Sequence, residues 1–82
     1  MTIIIENKNG VPIEYGILMM YELNGDNYMA IVPVDKDENP LNASIRIIGY
    51  EESGDDFDLY HIDDRAEYDM AVKAFRSLVD MI

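Results

Sequence analysis

From Ile13 the odd positions of the chain read Ile13, Tyr15, Ile17, Met19, Tyr21 and Leu23, and Asn24-Gly25 follows at once. Apolar residues at period two over eleven positions describe a long strand with one apolar face. Asn-Gly is the pair best suited to a type I′ turn, because both central residues need positive φ. Residues 28–34 then return as the next strand. A two-residue turn pairs Leu23 with Asp26 and Tyr21 with Tyr28. Continued without a slip, the register sets Met19 against Ala30, Ile17 against Val32 and Tyr15 against Val34, all on one face. The other face carries Leu18, Met20, Met29 and Ile31, with Glu14 and Glu22 at its ends. Both faces of this hairpin are therefore apolar in the middle.

The rest of the chain supplies what such a hairpin needs. Residues 2–6 hold three adjacent isoleucines and read as a strand, and Asn7-Lys8-Asn9-Gly10 reads as a turn. A polar, proline-containing loop occupies residues 35–42. Residues 43–50 read as a fourth strand, 51–56 as a turn and 57–62 as a fifth strand. Asp64 and Glu67 have capping-box spacing, with Asp64 as N-cap and Glu67 reaching back. Tyr68, Ala71, Val72, Phe75, Leu78, Val79 and Ile82 follow as one helical stripe, which predicts a helix from about 65 to 81. Met70, Ala74 and Met81 project to its flank. The expected fold is α+β: an antiparallel meander of about five strands with one C-terminal amphipathic helix packed on one face, or a curled half-barrel plus helix. The helix stripe, centred on Phe75 and Leu78, is expected to cover the odd-numbered face of the long strand. Residues 1–82 form a single domain with no linker or repeat.

Composition limits the function. The net charge is −11 with only six Lys and Arg, which argues against direct binding of nucleic acid or of anionic membrane. The absence of cysteine excludes disulfides, thiolate zinc sites and a cysteine nucleophile, and fits a cytoplasmic setting. The first residues lack a basic region, and their three isoleucines are too short for a signal-peptide core. The longest apolar run, residues 17–21, is far below the ~20 residues of a membrane span.

Each candidate for chemistry has a simpler explanation. Asp35, Asp37 and Asn39 imitate the start of a calcium loop, but its sixth position is Pro40 and its twelfth Arg46. Residues 47–64 hold seven acids and no Lys or Arg. Of these, Asp55, Asp56 and Asp58 belong to a charged turn whose side chains need not converge. Asp63 and Asp64 stand where a helix N-terminus favours anions. His61, the only histidine, shares a strand face with Phe57 and Leu59 and is expected to be partly buried and hydrogen-bonded. Ser44, Ser53, Ser77 and Thr2 stand in no nucleophile motif, and the five glycines form no phosphate loop. No catalytic residue, metal site or cofactor is assigned, and the protein is expected not to be an enzyme.

The order of elements resembles the YrzB-like family of small acidic bacterial proteins of unknown function. The resemblance is carried by Asn9-Gly10, residues 21–25 (YELNG), residues 28–35 (YMAIVPVD), Ile45-Arg46, residues 50–52 (YEE), residues 62–64 (IDD), Glu67-Tyr68 and residues 74–78 (AFRSL). It spans nearly the whole chain and implies a bacterial, cytoplasmic setting, with no active site, cofactor or substrate to carry over.

The expected function is a non-enzymatic protein–protein interaction module with a basic partner. Its candidate surface is Leu18, Met20, Met29, Ile31, Met70 and Met81. Leu18, Met20, Met29 and Ile31 should lie together opposite the helix, and monomers seldom leave such a patch open to water. Curling of the sheet, a second copy or a foreign partner could cover it. A twofold homodimer needs only one self-complementary patch and is the expected cover. The first alternative is a nucleic-acid mimic, which needs carboxylates along one exposed face at roughly 7 Å or less. A small hydrolase using His61 is the weakest.

Overall fold

The structure, a computed structural model, describes residues 1–41 and 44–81. Asn42, Ala43 and Ile82, and with them the expected start of the fourth strand, lie outside the described residues. The strands are β1 (Thr2–Glu6), β2 (Pro12–Leu23), β3 (Asp26–Pro33), β4 (Arg46–Ser53) and β5 (Asp56–Tyr60), followed by helix α1 (Arg65–Asp80). They form one antiparallel sheet in the order β1-β2-β3-β4-β5, the expected meander. The fourth strand continues to Ser53, so the turn before β5 shrinks to Gly54-Asp55.

The β2–β3 hairpin forms as read near its turn. Asn24 and Gly25 have φ of 55° and 88°, and the pairs Leu23–Asp26, Tyr21–Tyr28 and Met19–Ala30 are in register. Beyond Met19 the reading fails. A β-bulge at Leu18 sets Ile17 against Ile31 and Tyr15 against Pro33, not against Val32 and Val34. One extra residue inverts the alternation. The odd side chains of β2 therefore change face halfway along the strand, and two cores result.

The first core lies under α1. Tyr21, Tyr28, Ala30, Ile47 and Ala71 are its buried members, with Met19, Leu23, Tyr68, Val72, Ala74, Phe75 and Leu78 packed around them. Its centre is Ala71, which is fully buried, whereas Phe75 and Leu78 are half-buried. A small residue there lets the helix approach closely enough for the Tyr21 hydroxyl to donate to the Ala71 carbonyl at 2.6 Å. Ala74, expected on the outer flank, joins this core.

The second core is on the opposite face. Met29, Ile31, Ile48 and Tyr50 are buried there against Ile3, Ile5, Tyr15 and Ile17. The bulge delivers Tyr15 and Ile17 to this face, and β1 pairs with β2 at residues 12–16 and brings Ile3 and Ile5 with them. The sheet thus curls over its own second face as a half-barrel. This corrects the expectation of an open patch: Met29 and Ile31 are 0% exposed. The face that a stacked second copy was expected to cover is already closed.

Asp64 caps α1 as read, its Oδ1 accepting from the Ala66 amide at 2.9 Å. Glu67 does not reach back to complete a capping box. Its Oε2 accepts from the Tyr28 hydroxyl at 2.7 Å and ties the helix to the sheet. Among the described residues no helix is long and apolar enough to cross a membrane.

Candidate interaction surface

The six residues of the expected surface separate into three places. Met29 and Ile31 are core. Leu18 (49% exposed) and Met20 (37%) stand on β2 from the bulge onward, where among the described residues no strand flanks it on the β1 side. Met70 (49%) lies on the outer flank of α1, and Met81 (81%) is its C-cap. Met20 pairs with Met29, and Met29 shares the second core with Ile31, so only Leu18, Met20, Met70 and Met81 of the six remain exposed.

The acids between Glu51 and Asp64 prove to be mainly a protruding hairpin. Every residue from 51 to 61 is exposed. Glu51 pairs with Asp58 and Ser53 with Asp56, so strand alternation puts Glu51, Asp56 and Asp58 on one face. Glu52 pairs with Phe57 on the other. Like charges directly opposite each other weaken a strand pair, and apolar neighbours offset this. Phe57 meets Tyr50 edge-to-face at 5.4 Å between ring centroids. Tyr60 lies across Gly49, its register partner; a Cβ at Gly49 would collide with the Tyr60 ring. Sequence reasoning overlooked Phe57, Leu59 and Tyr60 as exposed apolar residues among these acids. The signal was available in the alternation of residues 56–60 (DFDLY).

The loop that imitates a calcium site turns its first acid inward. Asp35 Oδ1 accepts from the amides of Asp37 and Asn39, both at 2.9 Å, and shapes the loop itself. Among the described residues no group of three or more His, Asp or Glu side chains could hold a metal ion.

His61 is exposed just beyond β5, not partly buried, and the Arg46 guanidinium donates to its ring. The adjoining cavity, about 60 Å³, is lined by Ile5, Arg46, Ile48, Leu59, Tyr60 and His61. That lining offers neither a nucleophilic hydroxyl other than the Tyr60 phenol nor a carboxylate to orient the imidazole. Thr2 pairs with Gly16 in β1, Ser53 ends β4 and Ser77 lies on the exposed side of α1. Ser44 is exposed ahead of β4.

The shifted ionisations belong to tyrosines. Burial pushes the Tyr21 hydroxyl up to about 12, with Tyr68 adding to the effect. Burial also raises Tyr28, reinforced by its hydrogen bond to the Glu67 carboxylate. Tyr60 is raised by desolvation and then by Asp26, Glu51 and Glu67. These phenols stay protonated, which suits structural hydrogen bonding rather than acid–base work near neutral pH.

A curled antiparallel sheet of five strands closed by one helix, with acids on a protruding hairpin, defines a small acidic α+β protein. The chain belongs to the family described as "Protein of unknown function (DUF1292)", which matches residues 8–80. It is similar to a UPF0473 protein of Alkaliphilus oremlandii (strain OhILAs), with 34% identity over 74 residues, covering 90% of this chain and 84% of that relative. No solved structure matches it.

Proposed function

We propose that this protein is a non-enzymatic interaction module that binds a basic protein partner in the bacterial cytoplasm, with kinship to the YrzB-like proteins. The observation that carries this reading is the β4–β5 hairpin, exposed throughout residues 51–61 and mixing Glu51, Glu52, Asp55, Asp56 and Asp58 with Phe57, Leu59 and Tyr60. Carboxylates there steer a cationic partner, and apolar side chains between them supply contact area on docking. The test is retention of partners from native lysate on the immobilised protein at low and moderate salt. Retention that weakens with salt, and weakens further in Glu51→Gln/Asp56→Asn/Asp58→Asn, is expected. No retention even at low salt refutes the reading.

A nucleic-acid mimic is the second reading, favoured by one observation. Asp56 and Asp58 lie on one face of β5, about 7 Å apart by strand rise, with Glu51 beside Asp58. Release of the retained partner by duplex DNA would select it.

A further inference from the structure

We propose that the open edge of β2, residues 18–23, takes up an extended, basic segment of a partner protein as an added strand in line with β1. The inference rests on the reading of the protein as a module for a basic partner, and adds to the contact at the β4–β5 hairpin a second one, for an extended segment of that partner.

The edge follows from the register. β1 pairs with β2 only at residues 12–16, and the Ile17 amide then donates to the Met1 carbonyl. From Leu18 to Leu23, β2 has β3 on one side and, among the described residues, no strand on the other. The two-residue turn makes Leu23–Asp26 a hydrogen-bonded pair, and alternation makes Tyr21–Tyr28 and Met19–Ala30 the next two. The N–H and C=O groups of Met20 and Glu22 therefore point away from β3. These four backbone groups are the valence an added strand satisfies.

The flanking side chains set the chemistry of the occupant. Leu18 and Met20 are exposed beside this edge and offer apolar contact to alternate residues of the incoming strand. Glu22 is exposed at its end, and Glu14 and Asp26 are the other charged residues of the hairpin. Residues 9–35 contain no Lys or Arg. A basic segment is complementary here, whereas a second copy brings Glu22 and its own −11 charge to the same place. The other outer strand, β5, differs: Asp56 and Asp58 stand in its short run, a pattern that discourages strand addition.

The probe is an acetylated, amidated eight-residue peptide alternating Lys and Val. Its counterpart, N-methylated at alternate amides, keeps the charge but cannot pair as a strand. In the free protein the Met20 and Glu22 amides should exchange rapidly. With the peptide bound, both should be protected and their ¹⁵N–¹H signals shifted, and the N-methylated peptide should bind about tenfold more weakly or worse. Slow exchange of both amides in the free protein, with a dimer in sedimentation, would mean a second copy holds the edge and overturns the proposal. Shifts confined to residues 51–61, equal for the two peptides, would overturn edge docking while leaving the acidic-module reading standing. No shift at millimolar peptide overturns edge docking too, and retention from lysate then judges the broader reading separately.

Discussion

Deleting Leu18 should leave this protein folded with both of its cores, although it removes a residue from the middle of a strand. Without it Met19–Ala30 and Ile17–Ile31 become consecutive pairs, and the alternation of β2 runs unbroken from Leu23 with Tyr15 and Ile17 still on the second face. The second core then keeps both, and with them Ile3 and Ile5, which reach it through the pairing of β1 with residues 12–16. A fully buried side chain of this size contributes about 1.5–3 kcal/mol, so four half-buried ones sum to about 3–6 kcal/mol. A domain of 82 residues has a total stability of about 4–12 kcal/mol. A deletion that drew these four side chains off the second core would therefore bring the protein near the edge of unfolding at 25 °C, whereas one that leaves them there should cost no more than about 2 kcal/mol. Leu18→Ala keeps the extra backbone residue and removes only a half-exposed side chain, so it should cost no more than about 1 kcal/mol. Urea denaturation followed by tyrosine fluorescence measures both, since the chain has six tyrosines and no tryptophan. A deletion variant more than about 3 kcal/mol less stable than Leu18→Ala, well beyond the resolution of the comparison, refutes the argument that Leu18 is the one extra residue between the two cores.

Alkali should unfold the protein in a window set by its buried phenols. A group whose folded pKa is raised contributes stability fully present below its unfolded pKa, near 10 for tyrosine, and lost as pH rises through the folded value, about 12 for Tyr21. Stability should be flat up to about pH 9 and fall beyond 10. Tyr21→Phe, which loses the bond to the Ala71 carbonyl, should be about 1 kcal/mol less stable at pH 7 yet show a shallower alkaline slope; phenolate absorbance alongside circular dichroism reads both. Asp64→Ala should cost about 1 kcal/mol by leaving the Ala66 amide uncapped, seen as a lower urea midpoint. Gly49→Ala should destabilise by about 1–2 kcal/mol through collision with the Tyr60 ring. In a Tyr60→Ala background most of that cost should vanish, and an unchanged cost would show that the ring is not what Gly49 accommodates.

The elements of the fold were legible wherever one local signal decided them. Asn24-Gly25 dictated the hairpin and its first three pairs, three isoleucines dictated β1, and Asp64 marked the helix start. What could not be read was each contest between a local rule and a distant partner. Glu67 satisfies capping-box spacing, but the Tyr28 hydroxyl, 39 residues away in sequence, takes its carboxylate. Ala74 sits at the margin of the helical stripe, and only the approach of α1 over the small Ala71 brings it into the core. The bulge left no mark in the pattern, because both Ile17-Leu18 and Met19-Met20 are apolar pairs and a slip by one residue exchanges like for like. For the same reason the burial of the four residues could not be read: Leu18 and Met20 are exposed, but Met29 and Ile31 lie beneath the curled sheet.

That curl also explains how a chain of this charge keeps two apolar cores. The acids are absent from every buried position and are concentrated on the β4–β5 hairpin, on the loop shaped by Asp35 and along the outer side of α1. Self-repulsion is weakest when charges are spread over the surface and screened by water. The half-barrel allows this because it encloses one core between strands and the other beneath a single helix, so no apolar face of the sheet needs a second layer of charged helices. Some of the exposed apolar positions fall where pairing stops: Leu18 and Met20 where β1 ends beside β2, and Phe57 and Leu59 on the outermost strand. These four positions lie at strand edges rather than on an open sheet face.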